Sequence, residues 1–462
     1  MKNTSGQTTI QLLLPLIILL IIAAAFAFMM PELSTLQAFL LGGGIIFFII
    51  CLASTEAALY LLIFSMLLSP EFVVGTTKGA SLGRGVTLRF DDFAILIIGF
   101  SWLAKMAINK QLGLFLKTPL NKPIGYYIIV CLSSTLLGAI FGGVDLKTGF
   151  FFVLKYFEYM LIYFMVANHL KDRKQIQYFL WAMLITCIIV SLIGIAQIPE
   201  GGRVSAPFEG EVGEPNTFGG YLLFMICITT GLFLTATVFR VQLIYGILIF
   251  LFAIPLLYTE SRSSYLATIP ALLAFVWFSE KRQGVFLILV LIGLVLPFIA
   301  PNPAKERVAY TFEQGKDRTD VVEISGIKLD TSTTERLKGW KRVARDWIKH
   351  PIFGFGVTGY GFVDAQYFRV LIETGVLGLF TFFILMSRIF KQSYRILKET
   401  HEPFEKGLCM GFLAGFIGLL VHSIGANTFI IVRIMEPFWF VLAMVIMIPS
   451  LKGESGELRA ES

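Results

Sequence analysis

The chain has 462 residues, of which 56% are hydrophobic and only 15% charged. Its apolar residues recur as long uncharged runs from one end to the other, which a water-soluble fold has nowhere to bury, so a soluble domain is excluded and a polytopic membrane protein is expected. The formal net charge of +7 does not point to nucleic acid, because the bases sit in short clusters between apolar runs, with no aromatic-interleaved basic domain.

A helix crosses a hydrocarbon core of about 30 Å with about 20 apolar residues and keeps its backbone hydrogen bonds within itself. On that measure the chain reads as all-α: a transmembrane bundle of about 12 to 14 spans with one large external loop. The runs fall at 11–30, 36–53, 56–69, 92–108, 123–141, 150–168, 176–198, 216–238, 241–258, 263–279, 284–300, 367–387, 405–422 and 428–449. The first follows Lys2 and passes Ala25-Phe26-Ala27, which could pass for a signal-peptidase site. It stays apolar to Met30 and further spans follow, so an uncleaved first helix is expected. Cys51, Cys131, Cys187, Cys227 and Cys409 fall singly in apolar runs, without metal-ligand spacing, and read as small core or lipid-facing residues.

Three regions follow: spans 1 to 11 over 1–300, the external loop over 301–366, and spans 12 to 14 with a cytoplasmic tail over 367–462. With the N-terminus inside, the short inside segments hold eighteen Lys and Arg and the short outside segments six, namely Lys78, Arg84, Arg89, Lys147, Arg203 and Arg262. The bias places both termini in the cytoplasm. In the long loop, Ser332-Thr333-Thr334-Glu335 reads as a capping box. Leu337, Trp340, Val343, Ala344, Trp347 and Ile348 then recur at helical spacing opposite Lys338, Lys341, Arg342 and Arg345. An amphipathic helix over 333–349 is expected, either across the mouth of the bundle or as a plain lipid-surface anchor. No internal repeat is sustained, so the inverted repeats of many transporters find no support.

Three external features carry possible chemistry. Arg203 lies in Gly201-Gly202-Arg203-Val204-Ser205, which leads through Glu209, Glu211 and Glu214 to Pro215-Asn216. Arg262 lies in the tight turn Thr259-Glu260-Ser261-Arg262-Ser263-Ser264. One interfacial arginine can simply snorkel to headgroups. Two on one face, among turn residues and hydroxyls, also suit bidentate phosphate binding at a helix start. The glycine-rich run from His350-Pro351 ends at Asp364, which is open to two readings, a base for a sugar hydroxyl or a helix N-cap. Arg369 with Glu373, Lys155 with Glu158, and Arg433 with Glu436 stand three or four residues apart inside spans, either as functional groups or as pairs neutralised for insertion. Asp91-Asp92 read as an interface and helix start.

At these positions the sequence resembles the bacterial O-antigen ligase and Wzy-type polysaccharide polymerase superfamily. The resemblance rests on Arg203 to Asn216, on Glu260-Ser261-Arg262, and most specifically on the run from Arg336 and Trp340 through His350-Pro351, Gly354-Phe355-Gly356 and Tyr367 to Glu373-Thr374-Gly375-Val376-Leu377-Gly378. It implies a metal-independent membrane glycosyltransferase of the GT-C type, without a cofactor, at the outer face of the bacterial cytoplasmic (inner) membrane. Donor and acceptor would both be undecaprenyl-pyrophosphate-linked glycans, and the product a cell-surface polysaccharide such as O-antigen, capsule or exopolysaccharide. Membrane lipid, a chain-length regulator and a flippase would be its partners, and nucleic acid would not. Arg203 and Arg262 would hold the donor pyrophosphate as it departs, with Arg336, Tyr367, Glu373 and Arg433 in support. Asp364-Ala365 stands where the family's ligases place a His-Asn pair, which fits better with a polymerase in which Asp364 is the base or orients the acceptor. A ligase is the runner-up. A flippase of lipid-linked glycan is the rival from another class, because it would share the arginines but need no base.

Overall fold

The computed structural model describes residues 43, 46–47, 49–51, 53–76, 85–108, 116–209, 213–313, 321–324, 327–328 and 330–451. The run expected at 11–30, much of that at 36–53, and the tail beyond Leu451 lie outside the described residues. The chain divides into two compact units, Met1–Leu62 with Phe93–Leu116, and Ile63–Asp92 with Lys117–Ser462. In the first, the Ser101 hydroxyl donates to the carbonyl of Cys51 at 3.1 Å. All residues considered for function below are in the second.

The helices are α1 (Thr55–Leu68), α2 (Phe90–Ile108), α3 (Asn121–Ile140), α4 (Leu146–His169), α5 (Arg173–Gln197), α6 (Pro215–Thr235), α7 (Phe239–Tyr258), α8 (Arg262–Phe278), α9 (Arg282–Ile299), α10 (Asn302–Glu313), α11 (Thr331–Asp346), α12 (Gln366–Glu399), α13 (Pro403–His422) and α14 (Val432–Met447). Among the described residues, eight helices are long and apolar enough to cross a membrane, beginning at Asn121, Leu146, Arg173, Pro215, Phe239, Gln366, Pro403 and Val432, and three shorter apolar helices begin at Thr55, Arg262 and Arg282. The protein is an all-α, polytopic membrane bundle. Two small antiparallel hairpins accompany the helices. One pairs β1 (Glu71–Thr76) with β2 (Gly85–Arg89), and the other pairs β3 (Glu323–Ile324) with β4 (Ile327–Lys328).

Side-chain caps start several helices where the sequence supplies an acceptor. Asp145 accepts from Thr148 N, Asp172 from Gln175 N and Ser261 from Ser264 N, each satisfying a backbone donor the helix cannot pair itself. The core forms where α6 and α14 are most enclosed, with 83% and 89% of their apolar stretches buried against 28% for α7. Glycine sets the closest packing. Gly407, Gly411 and Gly415 repeat every four residues on α13 and face α6, where a Cβ on Gly231 would stand 2.2 Å from the Gly407 carbonyl. With no hydrophobic drive between helices in lipid, such small-residue stripes let backbones approach and dispersion contacts accumulate.

α12 is interrupted at Gly375, whose φ of 66° and ψ of −166° leave the helical region. The break frees the carbonyls of Ile372 and Glu373, which accept from the amides of Phe355 at 2.9 Å and Gly356 at 2.8 Å. In return Val376 N donates to Pro351 O at 2.9 Å. The crossing needs glycine at 354 also, where φ is 69° and a Cβ would lie 2.5 Å from the Glu373 carbonyl carbon. The glycine-rich run after α11 is thus stitched into α12 near its start instead of lying free.

α11 starts at Thr331, with Asp330 as its cap through Thr333 N at 3.2 Å, and ends at Asp346 before a short 3-10 turn over Trp347–Lys349. The expectation of a start at the Ser332 capping box fails because Asp330, two residues earlier, is the better-placed acceptor. Val343 packs with Val363 and Ile372, and Trp340 stacks on Phe368 at 5.1 Å between ring centroids. Lys338, Lys341, Arg342 and Arg345 are exposed on the other face.

Candidate active site

At one end of the bundle, the start of α6, the start of α8, the cap of α11, the approach to α12 and the turn after α13 converge. Arg203 reaches across to the turn between α7 and α8. Its Nε donates to Thr259 O at 3.0 Å, and its Nη2 reaches Glu260 O and Asn216 Oδ1, each at 3.3 Å. Val204 N adds a bond to Tyr258 O at 3.0 Å. Glu260 adopts a φ of 50°, rare for a side-chain-bearing residue, and Arg203 holds the carbonyls on either side of that peptide. Burial first, and then the nearby Arg307 guanidinium, lower the proton affinity of Arg203, while Glu260 works in the other direction. Arg262 also adds to the positive field around Arg203. Three guanidiniums therefore share one corner of the molecule.

Arg262, the first residue of α8, forms an ion pair of 2.7 Å with Asp330, whose carboxylate is buried. Burial alone would raise the affinity of Asp330 for a proton, but hydrogen bonds from Thr333 and Arg262 outweigh it and hold the carboxyl below its ordinary range. Six residues along the chain, Arg336 grips Asp364 Oδ2 through Nε at 3.3 Å and Nη2 at 3.0 Å. Asp364 is one-third exposed. The segment bearing it is fixed from behind. Asn427 Nδ2 donates to Val363 O at 2.8 Å, and Gln366 N donates to Ser423 O at 3.1 Å. Gln366 Oε1 then accepts from Phe429 N at 3.0 Å. His422, fully buried at the end of α13, sits with Nδ1 at 2.8 Å from Thr428 Oγ1, against Gly220 and within the field of Arg336.

The residues singled out in the sequence divide into three groups. Arg203 and Arg262 meet at the 259–262 turn, and Arg336 and Asp364 pair beside α11. Glu373 and Tyr367 serve the interrupted helix instead. Glu373 Oε1 accepts from Arg369 Nε at 3.1 Å and from Thr358 N at 3.3 Å, and the Tyr367 hydroxyl donates to Leu420 O at 2.6 Å. Arg433 stands apart from both groups. Its Nη1 donates to Leu67 O and Pro207 O at 2.8 and 3.0 Å, and its Nη2 to Ser69 O and Phe208 O at 3.2 and 3.0 Å. Its carboxylate neighbour is Glu209 at 3.8 Å, not Glu436, which lies at the same distance from Arg89. Sequence reasoning missed Asp330, Arg307 and His422. His422 had a signal, since an ionisable residue ending an apolar run is a functional candidate by default. Asp330 and Arg307 had none short of the tertiary fold.

By helix length, composition and packing the protein is a multi-pass membrane protein with a polar, arginine-rich site at one end of its bundle. Residues 247–383 match the family model Wzy_C, described as O-antigen ligase, so the chain carries an O-antigen ligase-type domain and its resemblance to the O-antigen ligase and Wzy-type superfamily is borne out. The match spans Arg262, Asp330, Arg336, Asp364, Tyr367 and Glu373, while Arg203 and Arg433 lie outside it. No curated protein matches the chain.

Proposed function

We propose that the protein is a membrane glycosyltransferase that polymerises undecaprenyl-pyrophosphate-linked repeat units at the outer face of the bacterial cytoplasmic membrane. The observation that carries this reading is the gathering of Arg203, Arg262 and Arg307 at the start of α8, with the Arg336–Asp364 pair on the neighbouring α11. In this reading an acceptor hydroxyl attacks the anomeric carbon of the donor. The carbon–oxygen bond to pyrophosphate breaks, the electron pair leaves with the pyrophosphate, and the hydroxyl proton passes to Asp364. Arginine forks and the amides at the start of α8 stabilise charge as it builds on the leaving group. Arg336 holds Asp364 aimed at one place through two hydrogen bonds, and its own charge favours an anionic donor nearby.

The description of the matching family, O-antigen ligase, favours a second reading in which the same donor is passed to a lipid A core or a protein. Deletion of the gene followed by analysis of lipid intermediates separates the two. Accumulation of single lipid-linked repeats supports the polymerase, whereas long lipid-linked polymer that is never transferred supports the ligase. A flippase would tolerate Asp364→Asn, and a glycosyltransferase that uses this base would not. Cysteines placed at 203 and 262 should react with an impermeant thiol reagent in intact cells, and protection of both until lysis would overturn the outer-face assignment.

A further inference from the structure

A second ionic group lies away from the α8 corner. Arg89 ends β2, Asp91 and Asp92 begin α2, Lys155 and Glu158 come from α4, and Glu436 comes from α14. Asp91, Asp92, Arg89 and Glu436 are almost fully buried, and Lys155 and Glu158 are each 11% exposed. Arg89 pairs with Asp91 at 2.7 Å and approaches Glu436 at 3.8 Å. Lys155 pairs with Asp92 and, at 3.4 Å, with Glu158. Among the described residues, Arg433 on α14 and Glu209 in the loop before α6 also lie close by and face each other as an opposite-charge pair at 3.8 Å.

Two separate counts lead to one number. Four carboxyls share the space with two cations, so full ionisation would bury two uncompensated negative charges, at a cost of several kcal/mol for each. Geometry gives the same result by another route. The carboxyls converge in twos on a single cation, Asp91 and Glu436 on Arg89, and Asp92 and Glu158 on Lys155. One cation balances one carboxylate, so the second in each pair stays charged and unbalanced unless a proton lies between the two. Both oxygens of Glu436, with Asp91 Oδ1, Asp92 Oδ1 and Glu158 Oε1, receive no hydrogen bond from a described N–H or hydroxyl donor.

We propose that this cluster is a binding site for two protons, one shared between Asp91 and Glu436 beside Arg89, the other between Asp92 and Glu158 beside Lys155. Each proton belongs to its pair and not to one residue. Loaded with both, the cluster is neutral and joins the starts of α2 and α14 to α4. Because the unfolded chain would release these protons at neutral pH, folding takes up two protons, and stability falls as pH rises.

Glutamine copies the protonated acid and cannot release the proton, so the full-length chain in nanodiscs, as wild type, Glu436→Gln, Glu158→Gln and the double variant, tests the site. Thermal unfolding between about pH 6 and pH 9 should show a wild-type midpoint that falls with rising pH, a slope about halved in each single variant and a nearly flat double variant. Infrared difference spectra at neutral pH should show a protonated-carboxyl carbonyl band, about half of it lost with each substitution. Absence of that band in the wild type, or its persistence in both variants, overturns the proposal. A midpoint that responds to sodium against choline but not to pH also overturns it, since the cluster would then hold a metal cation. If a variant fails to fold, titration of the wild-type band decides alone: survival above the ordinary carboxylate range supports the site, and loss within that range overturns it.

Discussion

Arg433 and Arg203 lie near opposite ends of one loop, and they are held in contrasting ways. Arg433 is buried, and its guanidinium donates to four backbone carbonyls from two segments, with Glu209 behind it. Arg203 is exposed and bonded along one side only, to the carbonyls of the 259–260 turn and the Asn216 amide. The first arginine uses its fork to close the structure, whereas the second is steadied by the structure with one side left toward solvent. Arginine in a membrane protein is therefore not functional by residue type. What matters is how much of its donor capacity the fold has already consumed.

The largest effect that would break this comparison is Arg433→Ala. It strips the donors from buried carbonyls and leaves Glu209 without its cation, and loss of one partner from such a pair costs about 3–5 kcal/mol. Folded yield and thermal midpoint in detergent should drop sharply, and Arg433→Lys should recover little, because one ammonium cannot reach four carbonyls. Normal stability in both variants would mean that the loop closes without it. Next come Arg262→Lys and Arg203→Lys, which should fold but lose about tenfold in turnover, equivalent to about 1.4 kcal/mol of transition-state binding, with alanine worse at both sites. Full turnover in all four variants would reduce these arginines to headgroup anchors. A smaller effect belongs to Asp330. Removal of an N-cap carboxylate costs about 1 kcal/mol, so Asp330→Ala should raise amide exchange in the first turn of α11 before it alters global stability. Its pH dependence follows from the direction of its shift. With the folded carboxyl held below the ordinary value, its contribution is present above the unfolded range and is lost as pH falls through the lower folded value. Exchange in α11 should therefore stay slow under mildly acidic conditions and quicken only in stronger acid.

Span positions were legible because burial in lipid demands long uninterrupted apolar runs, and the runs at 123–141, 150–168 and 216–238 have their counterparts in α3, α4 and α6. The meeting of Arg203 with the 259–262 turn was readable as a possibility only, since the expected shared external side brings two turns to one surface without fixing which bonds form. Local spacing misled where tertiary partners won. Arg433 and Glu436 are neighbours on one helix turn, yet each found a stronger partner on another segment, Glu209 and the carbonyls for one and Arg89 for the other. The break at Gly375 was hidden because its cause, a chain crossing at 351–356, is remote in sequence and leaves only a glycine as its trace.

The smallest effect distinguishes the two faces of α11. Arg336 turns toward Asp364, whereas Lys338 turns to solvent and pairs with Glu335, both partners well exposed. Exposed pairs of this kind contribute about 0–1 kcal/mol, because water screens the charges and two long side chains must be ordered to hold them. Lys338→Ala should leave turnover and thermal midpoint nearly unchanged, while Arg336→Lys, which keeps the charge but loses the two-point grip on Asp364, should lower turnover with little change in stability. Separate kcat and KM values add a test that a merely structural role would not move. If the two-point grip aims Asp364 at the acceptor hydroxyl, Arg336→Lys should lower kcat with KM little changed. An unchanged kcat, or an equal loss of turnover in Lys338→Ala, would show that α11 contributes general positive charge and not a specific arginine–carboxylate pair.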